Sequence, residues 1–324
     1  MKRIPAFSLP LAAAAHAKPF IKWAGGKGQL LEQLQDNLPE ELRHEPFTYI
    51  EPFVGGGAMF FFMLQRFPNI TRAVVNDINP TLVNAYRVLR NQPNDLIAHL
   101  AELERDYLAL PDYKAQKAFY LARRQDFNTR PMDDVQRTAL FIFLNRTCFN
   151  GLYRENSKGH FNVPCGRYAN PQICNTSLIK ADSQLLQRIQ LEIMQGDFER
   201  TAAKIPQDEL TFFYFDPPYR PLSTTSSFNS YVKEEFDDES QRRLALFCRR
   251  ISAYPNVLWM LSNSDCSAKN PQDRFFEDIY KGFFLQRVYA SRMINANPDK
   301  RGKLTELLIS NFSPRPEPLL FACP

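Results

Sequence analysis

The stretch that decides the fold is FTYIEPFVGGG, residues 47–57. Its aromatic and β-branched residues predict a short buried strand from Phe47 to Phe53, which stops at a glycine-rich turn. The segment LTFFYF, Leu210 to Phe215, predicts a second buried strand that stops at Asp-Pro-Pro-Tyr. Buried strands that end in tight turns are typical of α/β proteins, whose ligands bind beyond the carboxyl ends of the strands.

The rest of the chain repeats this pattern outward from the two strands. Three more segments predict strands: Arg72–Asp77, Asn256–Ser264 and Glu306–Phe312. Three segments predict helices between them: Gly57–Phe67, Asn79–Asn91 and Asp238–Ile251. Alternating strands and helices predict an α/β fold with a mostly parallel sheet.

The region from about Asn84 to Gln195 interrupts the alternation. It predicts helix over 96–127 and 134–144, and then continues as the loop-like NRTCFNGLYRENSKGHFNVPCGRYANP. We therefore expect an inserted, largely helical domain at 85–194, between two parts of a sheet domain at 18–84 and 195–312. Residues 1–17 are expected to be an unstructured leader, and the proline-rich 313–324 a peripheral tail.

Composition narrows the class of protein. The formal net charge of +5 permits a polyanionic partner without requiring one. The six cysteines are scattered without a CxxC pair and there are four histidines, which argues against zinc and predicts no metal site. No apolar run approaches a membrane span. The first seventeen residues resemble a secretory signal, but Pro5 and Pro10 interrupt its apolar part, so we expect a cytoplasmic protein.

The first strand end has the character of a nucleoside-binding turn. Gly55 and Gly57 allow a tight turn close to a ligand, and Asp77 about twenty residues on can bind both ribose hydroxyls. This pattern is shared by dinucleotide enzymes and methyltransferases, and alone it separates them poorly. The complete GxGxxG and P-loop patterns are absent, which argues against NAD and ATP.

The second strand end indicates the chemistry. The Asp216 carboxylate and the Pro217 carbonyl are both acceptors, and together they can hold the two hydrogens of an exocyclic amine. Tyr219 offers a flat face on which an extruded base could stack. The simpler interpretation is a strand closed by a proline turn, with Tyr219 as ordinary packing. The paired glycine loop favours the site.

Together these motifs resemble the D12 class of DNA adenine-N6 methyltransferases, the Dam type. The resemblance runs from about Lys18 to Phe312 and rests on several independent motifs. They are PFIKWAGGKGQLL, YIEPFVGGGAMFF, VVNDINP, FNGLYRENSKGHFNVPCGRY, GDFE, YFDPPY and RGKLTELLISNF. It implies a Rossmann-like methyltransferase sheet, with an inserted target-recognition domain that carries a β-hairpin.

The resemblance also implies the cofactor S-adenosylmethionine and direct methyl transfer to adenine N6. Trp23 would lie near the sulfonium, Lys27 would pair with the methionine carboxylate, and Asp197 would accept from the cofactor's adenine amine. The cofactor set it implies is Trp23, Lys27, Phe53, Gly55, Gly57, Asp77, Asp197, Phe198 and Asp216. The catalytic set is Asp216, Pro217, Pro218 and Tyr219.

For the DNA, the resemblance implies a GATC target in duplex DNA and a flipped adenine. Arg154 can make two hydrogen bonds to guanine in the major groove. The DNA-contacting positions it implies are Lys22, Asn150, Leu152, Arg154 and Pro164. We expect a nucleoid-associated monomer, and a restriction endonuclease of the same site would not be bound to it.

Several alternatives stay open at this point. The same chemistry could act on another target sequence, within a restriction-modification system or alone. The chain could instead be a catalytically silent DNA-binding module or a Rossmann dehydrogenase, although the latter gives Asp-Pro-Pro-Tyr no role. Pro164-Cys165 resembles the dipeptide of cytosine-C5 methyltransferases, but it lies in the hairpin segment, so we interpret Cys165 as structural.

Overall fold

The computed structural model describes residues 16–23, 27, 30–221, 236–290 and 304–313. Residues 1–15 of the predicted leader and 314–324 of the predicted tail therefore lie outside the described residues. None of the described helices is long and apolar enough to cross a membrane.

Within the described residues, seven strands form one sheet in the order β3-β2-β1-β4-β5-β7-β6. Strands β1 to β5 pair in parallel, while β7 runs antiparallel to β5 and β6. This confirms the α/β class with a mostly parallel sheet. The strands are β1 Phe47–Glu51, β2 Ile70–Asp77, β3 Gln190–Gln195, β4 Leu210–Phe215, β5 Val257–Ser264, β6 Phe284–Ala290 and β7 Leu304–Ser310.

The predicted helices begin and end close to the positions observed. The helical region predicted over 96–127 consists of two helices, which Pro111 and Asp112 separate. Asp112 accepts a hydrogen bond from the Ala115 amide and so starts a new helix. The helices are α1 Leu31–Asp36, α2 Ala58–Arg66, α3 Pro80–Asn91, α4 Pro93–Leu108, α5 Tyr113–Thr129, α6 Asp134–Thr147, α7 Thr176–Gln187, α8 Asp238–Ile251 and α9 Phe275–Ile279.

The sheet separates two apolar cores. Alternate residues of β4 face opposite sides, so Phe212 and Tyr214 belong to one core and Phe213 and Phe215 to the other. The first core continues through α3 to α7, and the second lies under α8. The helices of the predicted insertion thus share a core with the sheet, and the predicted boundary at residue 195 falls inside the range of β3.

Candidate active site and DNA-contacting surface

The predicted site residues lie at the carboxyl edge of the parallel strands. The loop after β1 carries the three glycines, β2 ends at Asp77, and β4 is followed by Asp216. Strands β2, β1 and β4 are direct neighbours in the sheet, so these three groups face the same space. Crossovers leave β1 and β4 in opposite directions of the strand order, which is where open α/β sheets bind ligands.

The glycine loop and Asp77 are bonded to each other. The Gly55 amide donates to Asp77 Oδ2 at 3.1 Å, and the Asn79 amide donates to Oδ1 at 2.9 Å. Burial raises the pKa of Asp77, while these backbone donors act in the opposite direction. The carboxylate is held at the end of β2, where a ribose could meet it.

The glycines are required by packing as well as by ligand approach. A Cβ at Gly55 would lie 2.9 Å from Trp23 Cδ1, and one at Gly57 would lie 2.4 Å from the Tyr86 hydroxyl. Both glycines also have positive φ, 48° and 77°. Trp23 in turn stacks on Tyr153 with ring centroids 5.4 Å apart, which joins the glycine loop to the hairpin segment.

A compact polar cluster surrounds the Asp-Pro-Pro-Tyr turn. Lys27 Nζ lies 2.9 Å from Asp216 Oδ1 and donates to the Tyr219 hydroxyl at 2.5 Å. The Tyr219 hydroxyl donates to Glu306 Oε2 at 2.6 Å, and Ser262 donates to Asp216 Oδ1 at 3.1 Å. This site cluster therefore consists of Lys27, Asp216, Tyr219, Ser262 and Glu306.

The electrostatics of the cluster depend on Lys27. Burial raises the pKa of Asp216, the Lys27 ammonium lowers it, and the Glu306 carboxylate raises it. Burial also raises the pKa of Tyr219 well above its usual value, so its hydroxyl stays protonated. Lys27 is only 3% exposed and lies 3.6 Å from Glu306. The structure thus places the Lys27 ammonium on Asp216, and the pairing of Lys27 with a cofactor carboxylate that the resemblance implies stays a prediction.

Phe198, which follows Asp197 in the chain, lies beside Phe53. The resemblance places all three residues in one cofactor pocket. The rings of Phe53 and Phe198 have centroids 5.3 Å apart. The Asp197 carboxylate accepts from the Glu199 amide at 2.9 Å and pairs with Arg243. Its acceptor capacity is therefore shared with an arginine that the sequence analysis did not consider.

The five predicted DNA-contacting residues lie in two neighbouring parts of the chain, residue 22 and the hairpin segment 148–165, which meet where Lys22 packs on Gly151. Antiparallel bridges at Cys148–Cys165 and Glu155–Phe161 define this segment. Arg154 Nε donates to Asn162 Oδ1 at 2.7 Å, which fixes the guanidinium plane. The other four side chains are exposed: Lys22, Asn150, Leu152 and Pro164.

Two residues were not predicted from the sequence: Glu306 in the site cluster and Phe149 in the hairpin segment. Glu306 stands at the start of an antiparallel strand, and such a start lies at the carboxyl edge of its parallel neighbours. This position in the predicted strand could have indicated from the sequence that Glu306 lies near the site. Phe149 is 52% exposed beside Asn150, whose φ of 55° is left-handed. The place of Phe149 in a predicted DNA-contacting loop, directly before Asn150, was the signal available from the sequence.

Cys165 lies in the apolar interior of the hairpin base. It is 9% exposed, and burial raises the pKa of its thiol. A buried thiol of high pKa is a poor nucleophile. Among the described residues, no group of three or more His, Cys, Asp or Glu side chains could hold a metal ion.

The chain matches the family model of the D12 class N6 adenine-specific DNA methyltransferases over residues 23–294. The chain belongs to this family. It is 46% identical over 299 residues to the type II methyltransferase M.MjaIII of Methanocaldococcus jannaschii, which covers 91% of this chain and 99% of that protein.

Two further relatives of this D12 methyltransferase are a second type II methyltransferase and a DNA adenine methylase. The type II methyltransferase M1.LlaDCHI of Lactococcus lactis subsp. cremoris is 40% identical, covering 91% of this chain and 95% of that protein. The DNA adenine methylase of Haemophilus influenzae is 33% identical, covering 90% and 92% respectively. The chain is therefore an adenine-N6 DNA methyltransferase, as its motifs predicted.

The donor set suits the family's cofactor, S-adenosylmethionine. The Asp77 carboxylate, held by two backbone amides, is suited to a pair of ribose hydroxyls. Phe53, which is half-buried beside the buried Phe198, offers the exposed aromatic edge that an adenine ring could meet. When bound, this cofactor supplies an electrophilic methyl group on a positively charged sulfur.

Proposed function

We propose that this D12 methyltransferase methylates the adenine of GATC in duplex DNA and acts on a base turned out of the helix. The observation that carries the proposal is the site cluster around Asp216, which lies at the same sheet edge as the glycine loop. In a duplex one hydrogen of the adenine amine is bonded to thymine, so Asp216 and the Pro217 carbonyl can hold both amine hydrogens only if the base is extruded.

In this proposal Asp216 and the Pro217 carbonyl hold the two amine hydrogens of the target adenine. That arrangement directs the nitrogen lone pair toward the methyl donor. As the new carbon–nitrogen bond forms, the methyl–sulfur bond would break to leave a neutral thioether, and the Asp216 carboxylate would accept the proton that the amine loses. Gln241 donates to the Pro218 carbonyl at 3.0 Å and so fixes the turn that presents both acceptors. The Lys27 ammonium lies 4.2 Å from the Tyr219 ring centroid, so the base would stack on the opposite face of that ring.

The hairpin supplies a means to keep the duplex open. Phe149 presents an apolar ring to solvent, and apolar side chains that insert between base steps are a common device for deforming DNA. The Phe149 amide donates to the Pro164 carbonyl at 2.9 Å, so the ring projects from a fixed backbone. Phe149 would occupy the space that the extruded base leaves.

The GATC target is supported by the resemblance of the hairpin sequence and by the grouping of the five predicted DNA-contacting side chains. Arg154 donates to Asn162 through Nε and one terminal nitrogen, and its remaining guanidinium donors would meet a guanine edge. We expect Arg154→Ala to relax discrimination at one base pair by about tenfold or more while leaving the KM for S-adenosylmethionine unchanged.

The test is methyl transfer from tritiated S-adenosylmethionine to a short duplex containing one GATC, beside each duplex with one base pair of the site changed. We expect transfer to the GATC duplex and strong loss with every substitution. Equal transfer to all duplexes would refute GATC recognition. Replacement of the target adenine by 2-aminopurine should raise its fluorescence on binding if the base is extruded, and an unchanged signal would contradict extrusion.

We also propose that the enzyme works as a cytoplasmic, nucleoid-associated monomer that needs no bound restriction endonuclease. Arginine side chains cover the outer carbonyls of the edge strand β3, which disfavours pairing with another chain. Light scattering of the purified protein at increasing concentration measures the oligomeric state, and a dimer at all concentrations would refute this part.

A further inference from the structure

Asn145 joins the two chain segments that carry the proposed base contacts. Its Oδ1 accepts from the Lys22 amide at 2.8 Å, and its Nδ2 donates to the Lys22 carbonyl at 2.8 Å. The same Nδ2 donates to the Gly151 carbonyl at 3.0 Å. Asn145 lies in the last turn of α6 and is 1% exposed. Since all three bonds go to backbone atoms, this side chain fixes the course of both segments.

The Lys22 side chain packs directly on the turn that Asn145 holds. A Cβ at Gly151, where φ is 64°, would lie 2.3 Å from Lys22 Cδ and 2.6 Å from Lys22 Cβ. The Lys22 ammonium lies 4.7 Å from the ring centroid of Tyr168, three residues beyond the hairpin segment. The direction of the Lys22 side chain is therefore set by the hairpin rather than by its own segment.

We propose that Asn145 is a positioning residue that couples base recognition by Lys22 to base recognition by the hairpin residues Asn150, Leu152 and Arg154. The inference rests on the proposed function, because it assumes that these residues contact bases. Recognition of a base edge depends on donors placed at hydrogen-bond distance, so a shift between the two segments would weaken both sets of contacts. An amide supplies the donor and the acceptor that this junction uses.

The experiment measures kcat/KM for the wild-type enzyme and Asn145→Ala on the preferred duplex and on each single-base-pair variant of it. The matched control is Asn256→Ala, since the Asn256 amide also donates only to backbone carbonyls, at the amino-terminal edge of the sheet. We expect Asn145→Ala to lose about tenfold or more of its discrimination at the base pairs contacted by Lys22 and by the hairpin together. The KM for S-adenosylmethionine should stay within about twofold, and Asn256→Ala should keep wild-type discrimination.

A second variant protects the test if Asn145→Ala does not fold. Gly151→Ala leaves Asn145 intact but drives a methyl group into Lys22, so the same joint loss of discrimination is expected. A folded Asn145→Ala or Gly151→Ala enzyme that discriminates like the wild type, or loses discrimination at one of the two positions alone, would overturn the inference.

Lys22→Ala separates this inference from the proposed function. If Lys22→Ala leaves discrimination intact at every position, the proposed base contact itself is wrong. If Lys22→Ala relaxes discrimination and Asn145→Ala does not, the contact stands and the coupling is wrong. If mapping of N6-methyladenine gives a preferred site other than GATC, the proposed target is wrong, and the coupling is measured on substitutions of the mapped site.

Discussion

At the scale of single residues, Glu306 decides how fully Lys27 neutralises Asp216. Glu306 accepts from the Tyr219 hydroxyl at 2.6 Å and shares the Lys27 ammonium with Asp216. We predict that Glu306→Ala lowers kcat by about 10- to 100-fold, the range of a positioning group, because Tyr219 loses its anchor and Lys27 binds Asp216 alone. Steady-state kinetics with saturating DNA and S-adenosylmethionine measure the effect.

The conservative variant and a remote one serve as controls. Glu306→Gln keeps an acceptor for the Tyr219 hydroxyl, so it should recover part of the lost kcat. Glu192→Ala removes a glutamate of the edge strand β3 that pairs with Arg72, at the opposite edge of the sheet from β7 and β6, and it should leave kcat unchanged. Wild-type kcat in Glu306→Ala would show that the Tyr219 anchor does not matter.

Some residues of the site could be predicted from a neighbouring sequence motif, whereas others depend on contacts between distant parts of the chain. Asp216, Tyr219 and the glycine loop could be predicted, because each follows a recognisable strand within a few residues. The contact of Lys27 with Glu306 joins residues at opposite ends of the chain, and only the sheet order brings them together. The contact of Lys27 with Asp216 depended on the same information, and its pairing with a cofactor carboxylate stays a prediction.

At the scale of elements, the outer edge of β3 is covered by side chains instead of another strand. Its outward carbonyls alternate along the strand, and an arginine donates to each of three in succession. The donors are Arg90, Arg87 and Arg200, and their acceptors are the carbonyls of Leu191, Ile193 and Gln195. An uncovered edge is a template for pairing with another chain.

We predict that the double variant Arg87→Met and Arg90→Met associates with increasing concentration, because it exposes the carbonyls while retaining most of the side-chain volume. Its Tm should also fall by a few degrees, as expected for two lost hydrogen bonds of about 1 kcal/mol each. Light scattering and thermal unfolding measure both effects. Arg105→Met on α4, which removes an exposed arginine paired with Asp106, is the control. A double variant that stays monomeric at high concentration would contradict the argument.

Asp182 on helix α7 binds the N-terminal segment of the described chain through a hydrogen bond. Asp182 is fully buried and accepts from the Lys18 amide at 3.0 Å. Burial raises its pKa to about 8, against the opposite effects of Lys18 and Arg146. Between its ordinary pKa and pH 8, the folded protein keeps a proton that the unfolded chain has released. The free energy of unfolding therefore falls as pH rises through this window, by up to about 1.4 kcal/mol per pH unit.

We predict that Asp182→Asn removes this pH dependence, because an amide does not titrate. Between pH 5.5 and pH 8 the Tm of the wild type should fall more than the Tm of Asp182→Asn. Asp133→Asn, which keeps an acceptor at the start of α6, should follow the wild-type profile. Parallel Tm profiles for the wild type and Asp182→Asn would mean that Asp182 is already ionised in the folded protein at pH 5.5.

Elements with a strong local pattern were predictable and edge elements were not. The strands β1, β2, β4 and β5 are largely buried, so they appear as apolar runs. The edge strand β3 is partly exposed along its length, with the sequence QLEIMQ, and it lacks such a run. Strand β6 at the other edge was also not predicted, because its sequence FLQRVYA mixes polar and apolar residues.

At the scale of the whole molecule, the two cores share one sheet, and each contains one of the two tryptophans. Trp259 is fully buried in the core under α8, and Trp23 packs against the core that includes α3 to α7. Side chains of the same strand enter both cores, so loss of packing in one core destabilises the strands on which the other core packs. The predicted target-recognition region is therefore expected to unfold together with the sheet domain.

We predict a single unfolding transition reported equally by both tryptophans. Trp259→Phe leaves Trp23 as the only fluorescent tryptophan, and Trp23→Phe leaves Trp259. Each variant's fluorescence midpoint in denaturant should coincide with its own midpoint measured by far-UV circular dichroism. The two variants can differ in stability, so the comparison is made within each variant. A Trp23 signal that changes at lower denaturant than the circular dichroism of the same variant would show that the helical region opens independently, and the shared core would then not couple the two parts.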